Sequence, residues 1–480
     1  MAIKRYKATA DNTIANGYQE NLGTRATGSN MGQADVSEVY SIYGRATTSS
    51  SELSRIITQF DTTTIASDRA AGTIPGIAGV SFYLRLYNAE TSNTVPKDFK
   101  LVVSAVSRSW SEGDGLDLEN YKDIGASNWV KASKNVSWTT AGGDYHALPK
   151  FEQTFETGLE NLEVDVTSLV EQWVAGTKQN YGFGIQLTSS QEASSSANLG
   201  GATSSYYTKR FFARGTQYFF KKPVIEARWN SSLQDDRGDF YMSSSLAPAA
   251  DNLNTLYLYN YIRGQLTNIP AIGTGEIYVD LYETLAGTAL TQVPRTPATG
   301  GYVSPGVYSC SVGLSGTYST LRDVWYSGST QYFTGTISPK SFGGSGASTG
   351  NSRYVTNIKN LRAKYFSEEE ARFNVYVRNK NWSPTIYTVA STEIENTIIP
   401  SASFRVYRVL DGLNVIPHGT GSDLQTILSY DVSGNYFNLD MSLLEPGYEY
   451  GIKLAFYDSQ RQSWIEQDQK FLFRVEDYEY

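Results

Sequence analysis

The sequence has very few of the residues on which most enzyme chemistry depends. Among its 480 residues there is one cysteine, Cys310, and there are two histidines, His146 and His418. A single cysteine excludes an internal disulfide framework and most thiolate metal sites. The sequence also has no Cys-x-x-Cys or His-x-Glu spacing for zinc, and no glycine-rich loop with a lysine that would bind phosphate. These absences favour a protein that is not an enzyme and needs no cofactor.

Long apolar runs and basic clusters are also missing from the sequence. No apolar run reaches membrane-spanning length, and acidic and basic residues are mixed along a chain of net charge -8. We therefore expect neither membrane insertion nor a nucleic-acid partner. Residues 1–7 carry charge without an apolar segment behind them, which is not the pattern of a signal peptide. We expect the chain to be made and folded in a cytoplasm.

What the sequence does contain is typical of β-structure. It has 35 tyrosines and 42 glycines, and aromatic residues favour strands whereas glycine favours turns. Apolar and polar residues alternate over residues 80–87, 373–377 and 452–456, as they do in strands with one buried face. The fold class is therefore predicted to be all-β, built from sandwiches.

A chain of this length is too long for one core, so we expect several domains. A polar segment at residues 231–254 and a glycine- and serine-rich segment at residues 342–351 indicate boundaries. The predicted domains are residues 1–230, 231–343 and 352–480.

One helix is predicted, over residues 168–175. Ser168 and Glu171 have capping-box spacing, and Leu169 and Trp173 then lie on one face. Helix is otherwise expected only in short pieces.

An ordered set of motifs occupies the first predicted domain. It consists of Trp-Ser-Glu-Gly-Asp-Gly at residues 110–115, Trp129, Trp138, the helix with Trp173, and Asn-Tyr-Gly-Phe-Gly at residues 180–184. This set resembles the DNRLRE domain family, and the resemblance covers most of residues 5–229. It implies a jelly-roll β-sandwich similar to carbohydrate-binding modules. It also implies a structural or adhesive module of the kind common on cell-surface proteins.

Two interpretations apply to the tryptophans of this domain, Trp110, Trp129, Trp138 and Trp173. They are core residues, or they form a platform on which a sugar ring stacks. We favour the core interpretation because the family's motif tryptophans look structural.

The acidic residues around the first motif form a candidate calcium site. Calcium takes six to eight oxygen ligands, which a flexible acidic loop supplies. The alternative is a solvated acidic loop without a metal. The candidate ligands are Glu112, Asp114, Asp117, Glu119 and Asp123.

The second and third predicted domains carry patterns of small sandwiches. Residues 276–340 run strand, Pro-Gly turn, strand, hairpin, which predicts an immunoglobulin-like fold. Cys310 alternates with Tyr308 and Val312, so it is predicted to be a small buried hydrophobe. Leu-x-Pro-Gly-x-x-Tyr at residues 444–450 looks like the tyrosine corner of fibronectin type III and related sandwiches.

In a tyrosine corner, the hydroxyl of Tyr450 would reach back to an upstream backbone group. The alternative is a pair of exposed tyrosines in a hairpin. We favour the corner because of the spacing.

Two further segments, residues 372–387 and 430–440, look like parts of virion structural proteins of large tailed phages, in particular the marine T-even-like group. This resemblance covers most of the third predicted domain. It implies a structural component of a phage particle.

Three catalytic or adhesive interpretations are less favoured. A Ser-His-Asp triad would need His146 or His418, both of which lie in loop-like sequence without a nucleophile elbow. A glycosidase with paired carboxylates stays open, because sequence does not indicate which acidic residues face each other. The tripeptide Arg237-Gly238-Asp239 matches an integrin motif, but three residues in a polar segment arise easily by chance.

The leading hypothesis is a non-enzymatic phage virion structural protein on the neck or collar, the tail or the capsid exterior. Its partners would be other virion proteins, its copies would be repeated by symmetry, and assembly would take place in the bacterial host cytoplasm. The alternative is a carbohydrate-binding adhesin on the host surface, which an exposed row of aromatic residues on the first domain would favour. A polysaccharide-degrading enzyme is the weaker alternative.

Overall fold

The computed structural model describes residues 2–44, 51–92, 94–116, 125–244, 246, 248–340, 354–380, 396–459 and 461–477. The chain forms two compact units. The first unit is Ala2–Asn230 with Asp423–Gln425, and the second unit is Ser231–Ser422 with Thr426–Tyr480. The second and third predicted domains both fall within the second unit, so their separation stays a prediction.

The first unit is a β-structure with two α-helices among its described residues. Its elements are β1 (Ile3–Ala15), β2 (Val36–Ile42), β3 (Glu52–Phe60), α1 (Thr62–Ala70), β4 (Ser81–Leu86), β5 (Phe99–Val106), β6 (Lys131–Ser133), β7 (Val136–Ser137), β8 (Tyr145–Phe155), β9 (Leu162–Asp165), α2 (Thr167–Val174), β10 (Phe183–Leu187), β11 (Tyr206–Phe212) and β12 (Val224–Arg228). A 3₁₀ helix, Phe219–Lys221, precedes β12.

Strand β1 joins the two halves of the main sheet. Residues 3–7 pair with β12, and residues 8–15 pair with β3 across a bulge between Ala8 and Ala10. The strand order is β8-β5-β10-β3-β1-β12-β4-β9, with β2 pairing both β3 and β11. The sheet is therefore nearly closed and barrel-like.

The core of the first unit is rich in phenylalanine. Phe99 and Phe155 stack with ring centroids 5.0 Å apart, and the fully buried Phe82 belongs to the same apolar cluster. A smaller cluster includes Trp129 and Trp138. Burial of such rings supplies most of the free energy that opposes chain entropy.

The predicted helix is present as α2, but its N-terminus differs from the prediction. Leu169, Val170 and Trp173 are buried on one face, as expected. The capping box is wrong, because the N-cap is Val166, whose side chain makes no cap hydrogen bond, and the Thr167 amide donates to Asp165 Oδ1 at 2.9 Å. Glu171 instead forms a salt bridge with Arg69 of α1, with 2.6 Å between the charged atoms.

Helix α1 is absent from the sequence prediction. It is polar, with only Thr62 and Ile65 buried, so its sequence has no apolar stripe of helical period. The Asp61 side chain caps it by accepting a hydrogen bond from the Thr63 amide at 2.9 Å. None of the described helices is both long and apolar enough to cross a bilayer.

The second unit is built from several sheets. Its strands are β13 (Asn254–Tyr259), β14 (Tyr261–Ile262), β15 (Gln265–Leu266), β16 (Ile277–Tyr282), β17 (Ala298–Ser304), β18 (Val307–Val312), β19 (Leu321–Ser327), β20 (Thr330–Ile337), β21 (Tyr354–Ile358), β22 (Lys364–Phe366), β23 (Glu370–Asn379), β24 (Ala402–Arg408), β25 (Asn414–Ile416), β26 (Ser429–Asp431), β27 (Gly434–Asp440), β28 (Glu449–Asp458), β29 (Ser463–Glu466) and β30 (Phe471–Glu476). Short 3₁₀ helices lie at Asp236–Gly238, Ala249–Asn252 and Met441–Leu443.

The sheet orders of the second unit follow from its pairings. One sheet is β13-β18-β17-β16-β19-β20, a second is β21-β23-β27-β26, and a third is β22-β30-β28-β24-β25 with β29 on β28. Trp325 and Tyr308 are fully buried in the first sheet, and Phe404 stacks on Phe437 at 4.1 Å between the other two. Cys310 is buried beside Tyr308, as predicted. The prediction of an all-β chain is confirmed.

Candidate functional site

The first sequence motif, residues 110–115, is a loop fixed by its side chains. The indole nitrogen of Trp110 donates a hydrogen bond to the Tyr181 carbonyl at 2.8 Å. The Trp110 ring is half-buried and packs against the small apolar cluster that contains Trp129. The beginning of the loop is therefore fixed by burial and by a backbone acceptor.

Glu112 joins three separate parts of the first unit. One of its carboxylate oxygens accepts the Asp11 amide at 2.8 Å and the Arg214 Nε at 2.9 Å. The other accepts a second Arg214 nitrogen at 2.8 Å. A carboxylate paired in this bidentate way to a guanidinium is a strong structural contact.

The two glycines of the motif are required by close packing. Gly113 has φ +89°, and a Cβ there would lie 2.3 Å from the Ala126 Cβ. A Cβ on Gly115 would lie 2.0 Å from the Asn30 carbonyl oxygen. The Asn30 side chain donates to the Glu112 carbonyl at 2.7 Å and accepts the Gly115 amide at 2.8 Å. Larger residues would force this loop apart.

The candidate calcium ligands are only partly within the described residues. Glu112 faces Arg214, and Asp114 is exposed. Asp117, Glu119 and Asp123 lie outside the described residues. Within the part of the chain that is described, no three His, Cys, Asp or Glu side chains group closely enough to bind a metal ion. A calcium site stays a prediction for this loop.

The other tryptophans of the first unit are buried. Trp129, Trp138 and Trp173 are 7%, 5% and 5% exposed. The Trp138 indole donates to the Asn128 carbonyl at 2.8 Å, and Trp173 packs edge-on against Phe183 with centroids 4.7 Å apart. These rings lie in the core and offer no face to a sugar.

Asp11 is a buried carboxyl next to Glu112. It is 1% exposed, and its Oδ2 accepts the Arg214 amide at 2.5 Å, while its Oδ1 has no hydrogen-bond partner among the described residues. Burial raises the pKa of Asp11 to about 7, and the neighbouring Glu112 charge acts in the same direction. The carboxyl therefore titrates in the physiological range.

Lys209 is a buried cation in β11. Its ammonium donates to Asn88 Oδ1 at 2.6 Å and to the carbonyls of Gly158 and Glu160 at 2.9 and 2.8 Å. Burial lowers the pKa of Lys209 to about 8. Three acceptors match the three donors of an ammonium, so Lys209 connects two loops to β11.

The Arg237-Gly238-Asp239 tripeptide is not available as an integrin motif. The Arg237 guanidinium is largely buried and pairs with Asp235 and Asp323, each at 2.7 Å. Asp239 pairs with Lys340. Both charges of the tripeptide are thus used within the second unit, which agrees with its interpretation as a chance match.

His418 has the neighbours of a triad but not its geometry. Its Nδ1 lies 3.0 Å from Ser403 Oγ, and its Nε2 lies 3.6 Å from Glu466. Ser403 is fully buried within β24 and also contacts Thr426 Oγ1 at 2.8 Å, so no substrate reaches it. Burial lowers the pKa of His418. His146, predicted in a loop, lies instead in β8.

Tyr450 is fully buried in β28, and its hydroxyl donates to the Glu445 carbonyl at 2.7 Å. This is the hydrogen bond to an upstream backbone group that defines a tyrosine corner. Burial raises the pKa of Tyr450 above its ordinary value.

A pair of tyrosines lies on the outer face of β16 and β19. The Tyr278 and Tyr326 rings are cross-strand neighbours with centroids 6.1 Å apart. The Tyr326 hydroxyl donates to Asp280 Oδ2 at 2.9 Å, and burial together with this bond raises the pKa of Tyr326 to about 12. The Gln292 amide donates to the other Asp280 oxygen at 3.2 Å. Aromatic rings beside a few polar groups are typical of a binding surface.

The chain has no match among protein families or curated proteins, and its similarity to solved structures is low. No family model matches the chain, and no curated protein matches it. The adhesin InvE of Yersinia pseudotuberculosis is similar over 46% of this chain and 54% of its own, at 11% identity and a TM-score of 0.15. The alpha-2-macroglobulin of E. coli covers 87% of this chain and 21% of its own, at 9% identity and a TM-score of 0.16.

A Salmonella alpha-2-macroglobulin variant covers 94% of this chain and 21% of its own, at 9% identity and a TM-score of 0.16. The chain thus spans about half of the adhesin and about a fifth of each macroglobulin. TM-scores this low carry no argument about fold or function. The family and phage resemblances stay expectations from the sequence.

Proposed function

We propose that this chain is a non-enzymatic structural protein of a tailed-phage particle, on the neck or collar, the tail or the capsid exterior. It acts by docking on other virion proteins. The observation that carries the proposal is the segment of residues 233–239, which connects two sheets of the second unit as a fixed spacer.

On one side, this segment extends the sheet that ends in β26. The Tyr430 amide donates to the Leu233 carbonyl and the Asp235 amide donates to the Tyr430 carbonyl, each at 3.0 Å. The Leu233 amide donates to Ser429 Oγ at 2.9 Å, and the Tyr430 hydroxyl donates to Asp236 at 2.7 Å. The segment therefore forms an isolated parallel bridge to β26, between Gln234 and Tyr430.

On the other side, Arg237 connects the segment to the sheet that contains β13 and β19. Its guanidinium pairs with Asp323 of β19 and donates to the Tyr257 carbonyl of β13 at 3.1 Å. Asp323 is fully buried and also accepts the Trp325 indole at 2.8 Å. Removing one partner of such a buried ion pair is strongly destabilising.

Domains joined by a free linker move relative to each other by default. A connection that is hydrogen bonded on both sides instead holds its sheets in one geometry before assembly. Such preorganisation reduces the entropy cost of docking at several contacts at once. This property suits a particle component better than a flexible secreted adhesin.

The test is quantitative mass spectrometry of particles purified from the lysate in which the chain is made. We expect the chain to co-purify with the particles in a fixed ratio to the neck, tail and capsid proteins. A phage-encoded protein that is not part of the particle is the control for carry-over. Abundance in the lysate without the chain in the particles contradicts the proposal.

A carbohydrate-binding adhesin is the second candidate, and the Tyr278–Tyr326 pair favours it. Sugar rings stack on aromatic faces, and the half-buried Tyr326 ring is held in place by its hydrogen bond to Asp280, which Gln292 also contacts. Binding of the purified chain to immobilised host-surface glycans tests this function. Loss of binding in Tyr278→Ala, with binding kept in the control Tyr261→Ala, would favour the adhesin. Tyr261 is an exposed tyrosine of the same unit.

A further inference from the structure

Three lysines and three aromatic rings meet on the surface of the first unit. Lys7 comes from β1, and the other residues come from the end of β11 and the segment before β12. Tyr218 is 50% exposed, and the Phe212 and Phe219 rings are half-buried. We name this surface the basic–aromatic patch; its members are Lys7, Phe212, Tyr218, Phe219, Lys221 and Lys222.

The lysines of the patch have no acidic partner among the residues that the structure describes. Lys4 and Arg5, on the same strand as Lys7, pair with Asp68 and Glu226 at 2.7 Å each. Within the described residues, the ammonium groups of Lys7, Lys221 and Lys222 form neither an ion pair nor a hydrogen bond, although the Lys221 backbone amide donates to the Tyr218 carbonyl at 3.1 Å. Burial and the charge of Lys222 both lower the pKa of Lys7.

An unpaired group of like charges is unusual on a chain of net charge -8. Lysines that repel one another cost stability unless something of opposite charge covers them. The sequence does not indicate this group, because Lys7 is near the beginning of the first unit's sequence and the other two lysines are near its end. The expectation of no basic patch is therefore wrong at this place.

The rings of the patch are already covered by ammonium groups. The Lys7 Nζ lies 4.3 Å from the centre of the Phe219 ring. The Lys221 Nζ lies 4.8 Å from the Phe212 ring and 5.3 Å from the Tyr218 ring. These cation–π contacts hold the ammonium groups of Lys7 and Lys221 over the aromatic rings. A sugar or a nucleotide base would have to displace them in order to stack.

We propose that the basic–aromatic patch is a docking surface for a carboxylate-rich surface of another protein of the particle. The ammonium groups pair with carboxylates of the partner. The rings and lysine stems supply apolar area around these pairs, as at the centre of protein interfaces. This proposal rests on the proposed function.

A protein occupant fits better than the other polyanions. Three lysines are few for a nucleic acid, because nucleic-acid binding commonly uses about six to ten phosphate contacts. A glycan would use the ring faces that the lysines cover. Carboxylates on a folded partner need only the ammonium groups and a small apolar area.

The experiment replaces the chain in the particles with a charge-reversed variant, Lys7→Glu with Lys221→Glu and Lys222→Glu. The matched control is Lys97→Glu with Lys134→Glu and Lys150→Glu, three exposed lysines of the same unit with the same change of net charge. We expect the patch variant to fall roughly tenfold or more in particles, and the control to stay at the wild-type level. Circular dichroism melting of both variants excludes misfolding, and a triple Lys→Gln variant of the patch replaces the first if it does not fold.

The outcomes separate the two proposals. Wild-type chain missing from particles contradicts the proposed function. Wild-type chain present together with an undiminished patch variant contradicts the patch alone.

Titration of the purified chain with hexaglutamate, hexagalacturonate and an oligothymidylate then tests the chemistry. We expect salt-sensitive binding of hexaglutamate that the patch variant loses. Tighter binding of hexagalacturonate or oligothymidylate through the same lysines would overturn the choice of a protein partner.

Discussion

Replacing Lys209 with methionine should destabilise the first unit markedly. The substitution leaves one buried acceptor, on Gly158, and two partly buried acceptors, on Asn88 and Glu160, without their donor. A buried acceptor that loses its partner costs about 1–3 kcal/mol. Methionine recovers part of this loss, since it fits between the Phe155 and Phe211 rings and needs no desolvation of a charge.

The net loss is therefore about 2–4 kcal/mol in the free energy of unfolding. For a unit of this size, each kcal/mol shifts the melting temperature by about 2–4 °C. A shift of about 5–15 °C follows. It should belong to the first unit only, because every partner of Lys209 lies there.

Hydrogen exchange measured by mass spectrometry resolves the two units, which a single melting curve does not. We expect faster exchange of the amides of β11 in Lys209→Met, with the second unit unchanged. Lys150→Met, an exposed lysine of β8, is the control and should exchange like the wild type. Unchanged protection of β11 would refute the argument that the ammonium connects these loops.

Three further predictions concern single residues. Trp173→Ala should cost about 3–5 kcal/mol in unfolding free energy, because the ring fills the core against Phe183; an unchanged melting temperature would contradict its core position. Tyr450→Phe should cost about 1 kcal/mol through loss of the bond to Glu445, and a stability equal to wild type in urea would contradict it. Burial raises the pKa of Asp11 from 3.8 to about 7, so between these pH values the folded state binds more protons than the unfolded state. The unfolding free energy of the wild type should therefore fall as pH rises from 4 to 7 relative to Asp11→Asn, and parallel pH profiles would refute this.

Strands were predictable because their signal is local. Phe82, Leu84 and Leu86 alternate with more polar residues, and the structure buries all three in β4. The apolar face of α2 is local in the same way. Each of these patterns needs only a few consecutive residues, so no knowledge of the tertiary structure is required.

Elements that depend on tertiary contacts were not predictable. Helix α1 has no apolar stripe, and it packs against α2 through the pair of Arg69 and Glu171. The same pair explains the wrong capping box, since Glu171 has a distant cation as its partner. Spacing alone does not indicate which of two partners a glutamate takes.

The motif at residues 110–115 was identified from the sequence, but its chemistry was not. Acidic residues in a loop favour calcium when they are considered alone. In the structure Glu112 pairs with Arg214, about a hundred positions away. Asp323 likewise pairs with Arg237 from 86 positions away, and Lys7 of the basic–aromatic patch is far in sequence from the other members of the patch. Contacts of this kind require the fold.

Charged residues of the first unit differ in whether they have ion-pair partners, and this difference supports the proposed role of the basic–aromatic patch. The buried Glu226 is paired: it lies among Arg5, Arg85 and Arg228, and these cations hold its pKa below its usual range. Burying a charge is unfavourable unless such partners are present. In the described part of the first unit, Lys7 and its two neighbouring lysines have no such partner, although acidic residues outnumber basic ones in the chain. Glu226 has its cations beside it, whereas the grouped lysines have no carboxylate beside them among the described residues, and this contrast is the reason for proposing that a partner supplies the carboxylates.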